Sequence, residues 1–93
     1  MKHTLTDSGM ATERDHHDVY EMIFDAGLMK INNWRWELNV TGGRAESARI
    51  VGNDGSCASW ILANMYSRLT SLSKQRRRDR VLEAARLMAE VAP

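Results

Sequence analysis

Two consecutive glycines, Gly42 and Gly43, constrain this chain most, because they separate two segments that can pair as strands. Before them, apolar and polar side chains alternate, and this period of two is typical of a half-buried strand. A two-residue hairpin turn needs φ > 0 at both central positions, which glycine adopts readily. The pattern therefore predicts an antiparallel hairpin, 34–41 with 44–51, whose apolar face is covered by helices. The second strand has weak β-propensity, because it contains Ala45, Ser47, Ala48 and Arg49, and a helical turn over 44–50 is the alternative. The apolar members of the first strand are Trp34, Trp36, Leu38 and Val40.

The segment before the hairpin has the 3.6-residue period of an amphipathic helix. Thr12 and Asp15 form a capping-box pattern at its start, and Gly27 predicts a Schellman motif at its end. The predicted helix runs from about 13 to 26, and residues 28–32 link it to the hairpin as a short extended piece. Its apolar face is formed by Val19, Met22, Ile23 and Ala26, with Tyr20 and Phe24 at the edge.

Two further helices are predicted after the hairpin. Ser56 is a favourable N-cap for a helix over about 57–72. The last helix begins either at an Asp79 cap, after a polar break over 71–80, or near Ser73. The order is then α-β-β-α-α, and the fold class is α+β, a two-stranded antiparallel hairpin packed on amphipathic helices. A row of small residues lies opposite the apolar stripe of the 57–72 helix: Ser59, Ala63, Ser67 and Thr70.

A chain of 93 residues predicts one domain, which we place at 12–93 after a flexible leader over 1–11. The sequence has no run of about 18 apolar residues that would form a transmembrane helix. Its N-terminus also lacks the apolar core of a signal peptide. Cys57 is the only cysteine, which excludes an intrachain disulfide and favours a reducing compartment. We therefore expect a cytoplasmic protein that makes no contact with a membrane.

The charges are unevenly distributed along the chain. Residues 1–37 carry seven acids and four bases, whereas residues 38–93 carry five acids and nine bases. A run of cations within 74–80 could contact phosphates along a nucleic-acid backbone. The alternative is a solvated segment, and a pI near 8.0 is low for a basic nucleic-acid-binding domain. The cations of this run are Lys74, Arg76, Arg77, Arg78 and Arg80.

Three carboxylates, Asp18, Glu21 and Asp25, lie together on the polar face of the first helix. This face is either an ordinary solvated surface or a docking surface for a basic protein, since charge complementarity speeds encounter and fixes orientation. Trp60 lies off the apolar stripe of its helix. It either covers an edge of the hairpin or acts as an exposed aromatic anchor, because tryptophan is enriched among interface hot spots.

No motif in the sequence indicates catalysis, a metal or a cofactor. His16 and His17 are adjacent, so on a helix they point about 100° apart, and no CxxC or HxxxH spacing is present. The sequence also lacks a GxSxG motif, a phosphate-binding glycine loop and a recognisable nucleophile–base pair. We therefore expect a protein that is not an enzyme and that uses neither metal nor cofactor.

In its size, its charge and its lack of catalytic motifs, the chain resembles small accessory proteins of phages and mobile elements such as the anti-CRISPR proteins. This resemblance implies an inhibitor that docks on a protein or nucleoprotein complex. The residues leave two alternatives. One is a nucleic-acid-binding accessory protein that uses 74–80. The other is a homo-oligomeric structural protein, such as a homodimer, that uses Ser59, Ala63 and Ser67 for close helix contact. The α-β-β-α order is also similar in outline to a double-stranded-RNA-binding domain. The sequence shows no clear third strand, however, and we take no function from that similarity.

Overall fold

A computed structural model of the chain describes residues 3–4, 11–29, 31, 35–52 and 58–91. The strands form one antiparallel sheet in the order β1-β2-β3. The helices lie against one another and against the sheet: α1 packs on α2, α2 on α3, and α3 on β3. The predicted order α-β-β-α-α is confirmed. The elements are β1 (His3–Thr4), α1 (Glu13–Asp25), β2 (Arg35–Thr41), β3 (Arg44–Gly52), α2 (Ala58–Arg68) and α3 (Lys74–Val91).

The hairpin of β2 and β3 forms as predicted, with Gly42 and Gly43 at its tip. Their φ angles are 60° and 76°, so both adopt the left-handed backbone that a two-residue turn between twisted strands requires. Leu38 lies opposite Ala48, and the register shifts by a bulge after Asn39. The weak β-propensity of the second strand is therefore outweighed by its pairing with the first.

The inner face of β2 is apolar and buried. Trp36, Leu38 and Val40 all point into the core. The Nε1 atom of Trp36 donates a hydrogen bond of 2.8 Å to the carbonyl of Ile31, so the buried indole N–H has a partner. Trp34, the other tryptophan of the predicted face, lies outside the described residues. The helices contribute a matching set of buried side chains: Val19, Met22, Ile23, Ile61, Leu62, Met65, Val81, Ala85 and Met88.

The opposite face of the hairpin is polar. Arg49 and Glu37 form a cross-strand ion pair of 2.8 Å, and the side-chain amide of Asn39 donates a hydrogen bond of 2.7 Å to Ser47. Such pairs between directly opposed residues stabilise a sheet, and Asn39 is itself buried. The period of two therefore holds on both faces.

A third strand, β1, pairs with β2, with His3 opposite Val40 and Thr4 opposite Asn39. The sequence predicted only two strands, so β1 is an addition to the predicted sheet. A strand of two residues is too short to show a period, which is why the pattern did not reveal it. Residues 1–2 and 5–10 of the predicted leader lie outside the described residues.

Both ends of α1 form as predicted. The hydroxyl of Thr12 accepts a hydrogen bond from the N–H of Asp15, and the Asp15 carboxylate accepts one from the N–H of Thr12. These two bonds complete the capping box. At the other end Gly27 has a φ of 74°, and the N–H of Leu28 donates to the carbonyl of Ile23 at 2.9 Å. This is the Schellman geometry.

Two predictions about the connecting segments are wrong. The link after α1 is a tight helical turn and not an extended piece, because the N–H of Ile31 donates to the carbonyl of Leu28 three residues earlier. Helix α2 ends at Arg68 and not near residue 72. Its predicted N-cap, Ser56, lies outside the described residues.

The predicted polar break over 71–80 is also wrong in its second part, because α3 begins at Lys74. The hydroxyl of Ser73 accepts a hydrogen bond of 3.3 Å from the N–H of Arg76, which is N-cap geometry. Asp79 therefore lies inside the helix, and the alternative start near Ser73 is confirmed. Lysine, glutamine and arginine are good helix formers, so the basic run extends the helix towards its cap.

Candidate functional site

Three large aromatic side chains on the outer surfaces of α1 and α2 are exposed to solvent. Tyr20 is 48% exposed, Phe24 62% and Trp60 53%. Tyr20 and Phe24 are four residues apart on α1, so they lie one above the other on the same side of the helix. We refer to Tyr20, Phe24 and Trp60 as the aromatic ridge.

The packing of α2 on α1 brings Trp60 to this side. Its indole meets the ring of His16 edge to face, with the ring centres 4.0 Å apart and the planes at 72°. His16 precedes Tyr20 by one helical turn, so the contact extends the aromatic row across the two helices. The sequence favoured the hairpin edge as the neighbour of Trp60, whereas the ring contact that the structure shows is with α1.

Two carboxylates, Glu21 and Asp25, border the aromatic ridge. They line a shallow depression of about 420 Å³ together with Tyr20 and Phe24. Glu21 also lies 3.6 Å from the imidazole of His17, in a pair that is exposed to solvent. We refer to Glu21 and Asp25 as the acidic edge. The two carboxylates thus form a row beside the row of the two rings on the exposed side of α1.

Asp18, the third carboxylate predicted for this site, does not line the depression. Its carboxylate is 3.8 Å from the guanidinium of Arg14. At about 100° per residue, Asp18 points about 160° away from His16, which carries Trp60. By the same geometry Asp18 lies about 60° from Glu21 and about 20° from Asp25, so the three carboxylates share one side of α1. Trp60, which contacts His16, lies across the helix from them.

Tyr20 and Phe24 are the site residues that the sequence analysis did not select. The helical pattern put them at the edge of the apolar face. Their position between the apolar and acidic sectors of the helical wheel was the available signal. What the pattern could not show is that the neighbouring elements cover Met22 and Ile23 and leave these two rings in solvent.

The basic run does not form a single row on α3. Arg77 turns inward: its Nε atom donates a hydrogen bond of 2.8 Å to the carbonyl of Tyr66, and its guanidinium lies 4.0 Å from the centre of the Tyr66 ring. Helical geometry puts the remaining cations on two flanks, Lys74 with Arg78 and Arg76 with Arg80. The first flank is separated from the second by about 160°.

The row of small residues on α2 packs largely within the chain. Ala63 is fully buried, and Ser59 and Ser67 are half-buried. The Ser67 hydroxyl donates a hydrogen bond of 2.8 Å to the carbonyl of Asn64. Ala63 therefore has no surface to offer a second copy of the chain, whereas Ser59 and Ser67 keep part of theirs in solvent.

Within the part of the chain that the structure describes, no three side chains of histidine, cysteine, aspartate or glutamate come close enough to hold a metal ion. Among the described helices, none has the length and apolar character to cross a bilayer. Protein-family models, curated proteins and solved structures show no match to the chain. The functional proposal therefore depends on the exposed aromatic and charged side chains described above.

Proposed function

We propose that this chain is a small non-enzymatic docking protein that binds a basic surface of a protein or nucleoprotein complex. The aromatic ridge supplies apolar anchors, and the acidic edge supplies the charge. The observation that carries the proposal is the exposure of Tyr20 and Phe24 beside Glu21 and Asp25. Trp60 is exposed at the far end of the row of rings, where it contacts His16.

The exposed rings are the energetic part of this argument. Complete burial of a side chain such as Phe24 stabilises by about 1.5–3 kcal/mol. In the isolated chain, the three exposed rings do not contribute this full stabilisation. A partner that buries them on binding gains the remaining part as binding free energy. Tryptophan and tyrosine are also enriched among the residues that dominate binding energy at interfaces.

The acidic edge indicates the kind of partner. Carboxylates beside the anchors favour a cationic surface, because complementary charge raises the rate of encounter and fixes the orientation of docking. Channels that hold nucleic acid in nucleoprotein complexes are positively charged. A carboxylate-bearing helix that occupies such a channel takes the place of phosphates. The more specific form of the proposal is that the chain inhibits a nucleoprotein complex by occupying such a channel, as the resemblance to anti-CRISPR proteins implies.

Affinity capture with tagged protein from a lysate of the producing cells tests the proposal. Phe24→Ala and the double variant Glu21→Gln/Asp25→Asn are expected to reduce capture of a co-purifying protein at least about tenfold, as for hot-spot residues. The matched control is Glu46→Gln/Glu90→Gln, which removes the same charge from other elements. Equal loss with the control, or full capture by Phe24→Ala, rejects the ridge as the docking surface.

A nucleic-acid-binding accessory protein is the second candidate. It is favoured by the position of Lys74 and Arg76 in the first turn of α3, where the unpaired N–H groups and the helix dipole also attract anions. The inward position of Arg77 removes one of the five cations from this surface.

A mobility-shift titration at low salt distinguishes this candidate from protein docking. Nucleic-acid binding through Lys74, Arg76, Arg78 and Arg80 should weaken steeply as salt rises, because each phosphate contact releases counterions. Phe24→Ala should leave it unchanged. A titration that shows no shift at low salt ends the candidate.

A further inference from the structure

The charged residues at the two ends of α3 have the signs that the helix dipole disfavours. The first turn holds three cations and no acid, and the last turn holds Glu90 and no base. A helix is stabilised by acids at its N-terminus and bases at its C-terminus, so this arrangement weakens α3 when it stands alone. Arg77 has a structural role that explains its place, whereas no ion pair joins the side chain of Arg76 or Glu90 to another of the described residues.

One side of α3 carries both signs of charge in opposite halves. We call it the outer stripe, and helical spacing places its members within about 80° of one another. A groove of about 520 Å³ lies beside it, and its lining includes Ala45 and Glu46 of β3 and Leu82 and Leu87 of α3. The members of the outer stripe are Arg76, Arg80, Glu83, Leu87 and Glu90.

We infer that the outer stripe binds the outer stripe of a second copy of this chain, antiparallel, about a two-fold axis near Glu83. An axis at this point sets Arg76 of each copy opposite Glu90 of the other, so each attraction is made twice. The apolar stem of Arg80 then lies beside Leu87 of the second copy, because long basic side chains cover apolar surface with their stems.

The carboxylate of Glu83, which lies near the two-fold axis, does not oppose this pairing. Glu83 would otherwise meet its own symmetry mate, but it is held by Arg44 of the same chain through two contacts, of 3.1 Å and 3.3 Å. Its charge is therefore compensated before the copies meet. Antiparallel pairing also brings the acidic end of each α3 to the positive end of the neighbouring helix dipole. This inference does not depend on the proposed docking function of α1.

The interface is small. Helix α3 has 18 residues and is about 27 Å long, so the buried area falls in the class of transient complexes. The dimer is expected to form at high protein concentration and low salt, and to dissociate as salt screens the four charges.

Sedimentation equilibrium over about 10 µM to 1 mM tests the inference. Arg76→Glu and Glu90→Arg are each expected to weaken dimerisation at least about tenfold. Both positions are exposed, and circular dichroism checks that each variant is folded. The double variant Arg76→Glu/Glu90→Arg should dimerise again, and so should an equimolar mixture of the two single variants. Lys74→Glu, which changes a charge on the other flank, is the matched control.

Several results overturn the inference. A wild-type chain that is monomeric at about 1 mM has no such interface. A double variant and a mixture that both stay monomeric show that residues 76 and 90 do not meet. If the wild type is monomeric and Arg76→Glu instead abolishes a mobility shift with duplex DNA, the cations serve phosphate binding and the self-pairing is rejected.

Discussion

Arg77 and Tyr66 are joined by two interactions of one guanidinium group. Its Nε atom donates to the Tyr66 carbonyl at 2.8 Å, and its central carbon lies 4.0 Å from the centre of the phenol ring. Tyr66 lies in the last turn of α2, and its carbonyl also accepts a hydrogen bond of 3.2 Å from the N–H of Leu69 just beyond the helix. One side chain from the first turn of α3 thus adds a second donor at the end of α2 and holds the two helices together.

Arg77→Ala should lower the free energy of unfolding by about 1–3 kcal/mol, because it removes a charged hydrogen bond and a cation–π contact. Urea denaturation measures the effect. Lys74→Ala, at an exposed position in the same turn, should change stability by no more than about 0.5 kcal/mol. Equal effects of the two variants would show that Arg77 is only one more surface cation.

Trp36→Phe should lower stability by about 2–3 kcal/mol. The smaller ring leaves space in the core, and the Ile31 carbonyl loses its 2.8 Å partner. Thermal unfolding followed by circular dichroism gives the value. Trp60→Phe is the comparison, since its ring is half exposed and should cost less than about 1 kcal/mol. The reverse order would contradict the placement of the two tryptophans.

The two turn glycines should differ in their tolerance of alanine. Both have positive φ, which is unfavourable for alanine by about 1–2 kcal/mol. A Cβ on Gly42 meets nothing within 4 Å, whereas one on Gly43 lies 3.2 Å from Leu69. Gly43→Ala should therefore be the more destabilising in urea titrations. Gly42→Asn should be close to neutral, because asparagine tolerates this backbone region. Strong destabilisation by Gly42→Asn would argue against the turn geometry.

Reversing the end charges of α3 should stabilise the monomer. Arg76→Glu and Glu90→Arg each place the favourable sign at a helix terminus, worth about 0.3–1 kcal/mol at low salt. Denaturation at a concentration of a few µM, well below that needed for dimerisation, isolates this effect. It should fade as salt is added. Destabilisation by both variants would reveal a contact of these side chains inside the folded chain.

The hairpin and the ends of α1 could be predicted from the sequence because the residues that determine them are close together in the chain. Gly42 and Gly43 supply the turn dihedrals directly, and Thr12 with Asp15 satisfies the first N–H groups of the helix from three residues away. For the start of α3 the sequence predicted two alternatives, a cap at Asp79 or a start near Ser73. Ser73 and Asp79 both had the chemistry of a cap, and the choice depended on whether the basic run could remain helical.

The candidate site was only partly readable. The carboxylates Asp18, Glu21 and Asp25 share one side of α1, as the helical wheel predicts. Trp60 was selected as well, but it contacts His16 on the other side of the helix. Tyr20 and Phe24, which the wheel put at the core edge, lie in solvent between the two. Which sector of α1 is covered depends on where α2 and α3 pack, and this is not encoded within α1.

The sequence by itself determined the local geometry of this protein: the left-handed tip of the hairpin, the alternation of its faces, and the capping of its first helix. These features depend on backbone dihedral preferences and on hydrogen bonds between near neighbours in the chain. Only the tertiary structure decided that Arg77 turns inward to Tyr66, that Trp60 meets His16, and that β1 joins the sheet. Each of these contacts joins segments distant in sequence, and each forms because burial of the shared core brings those segments together.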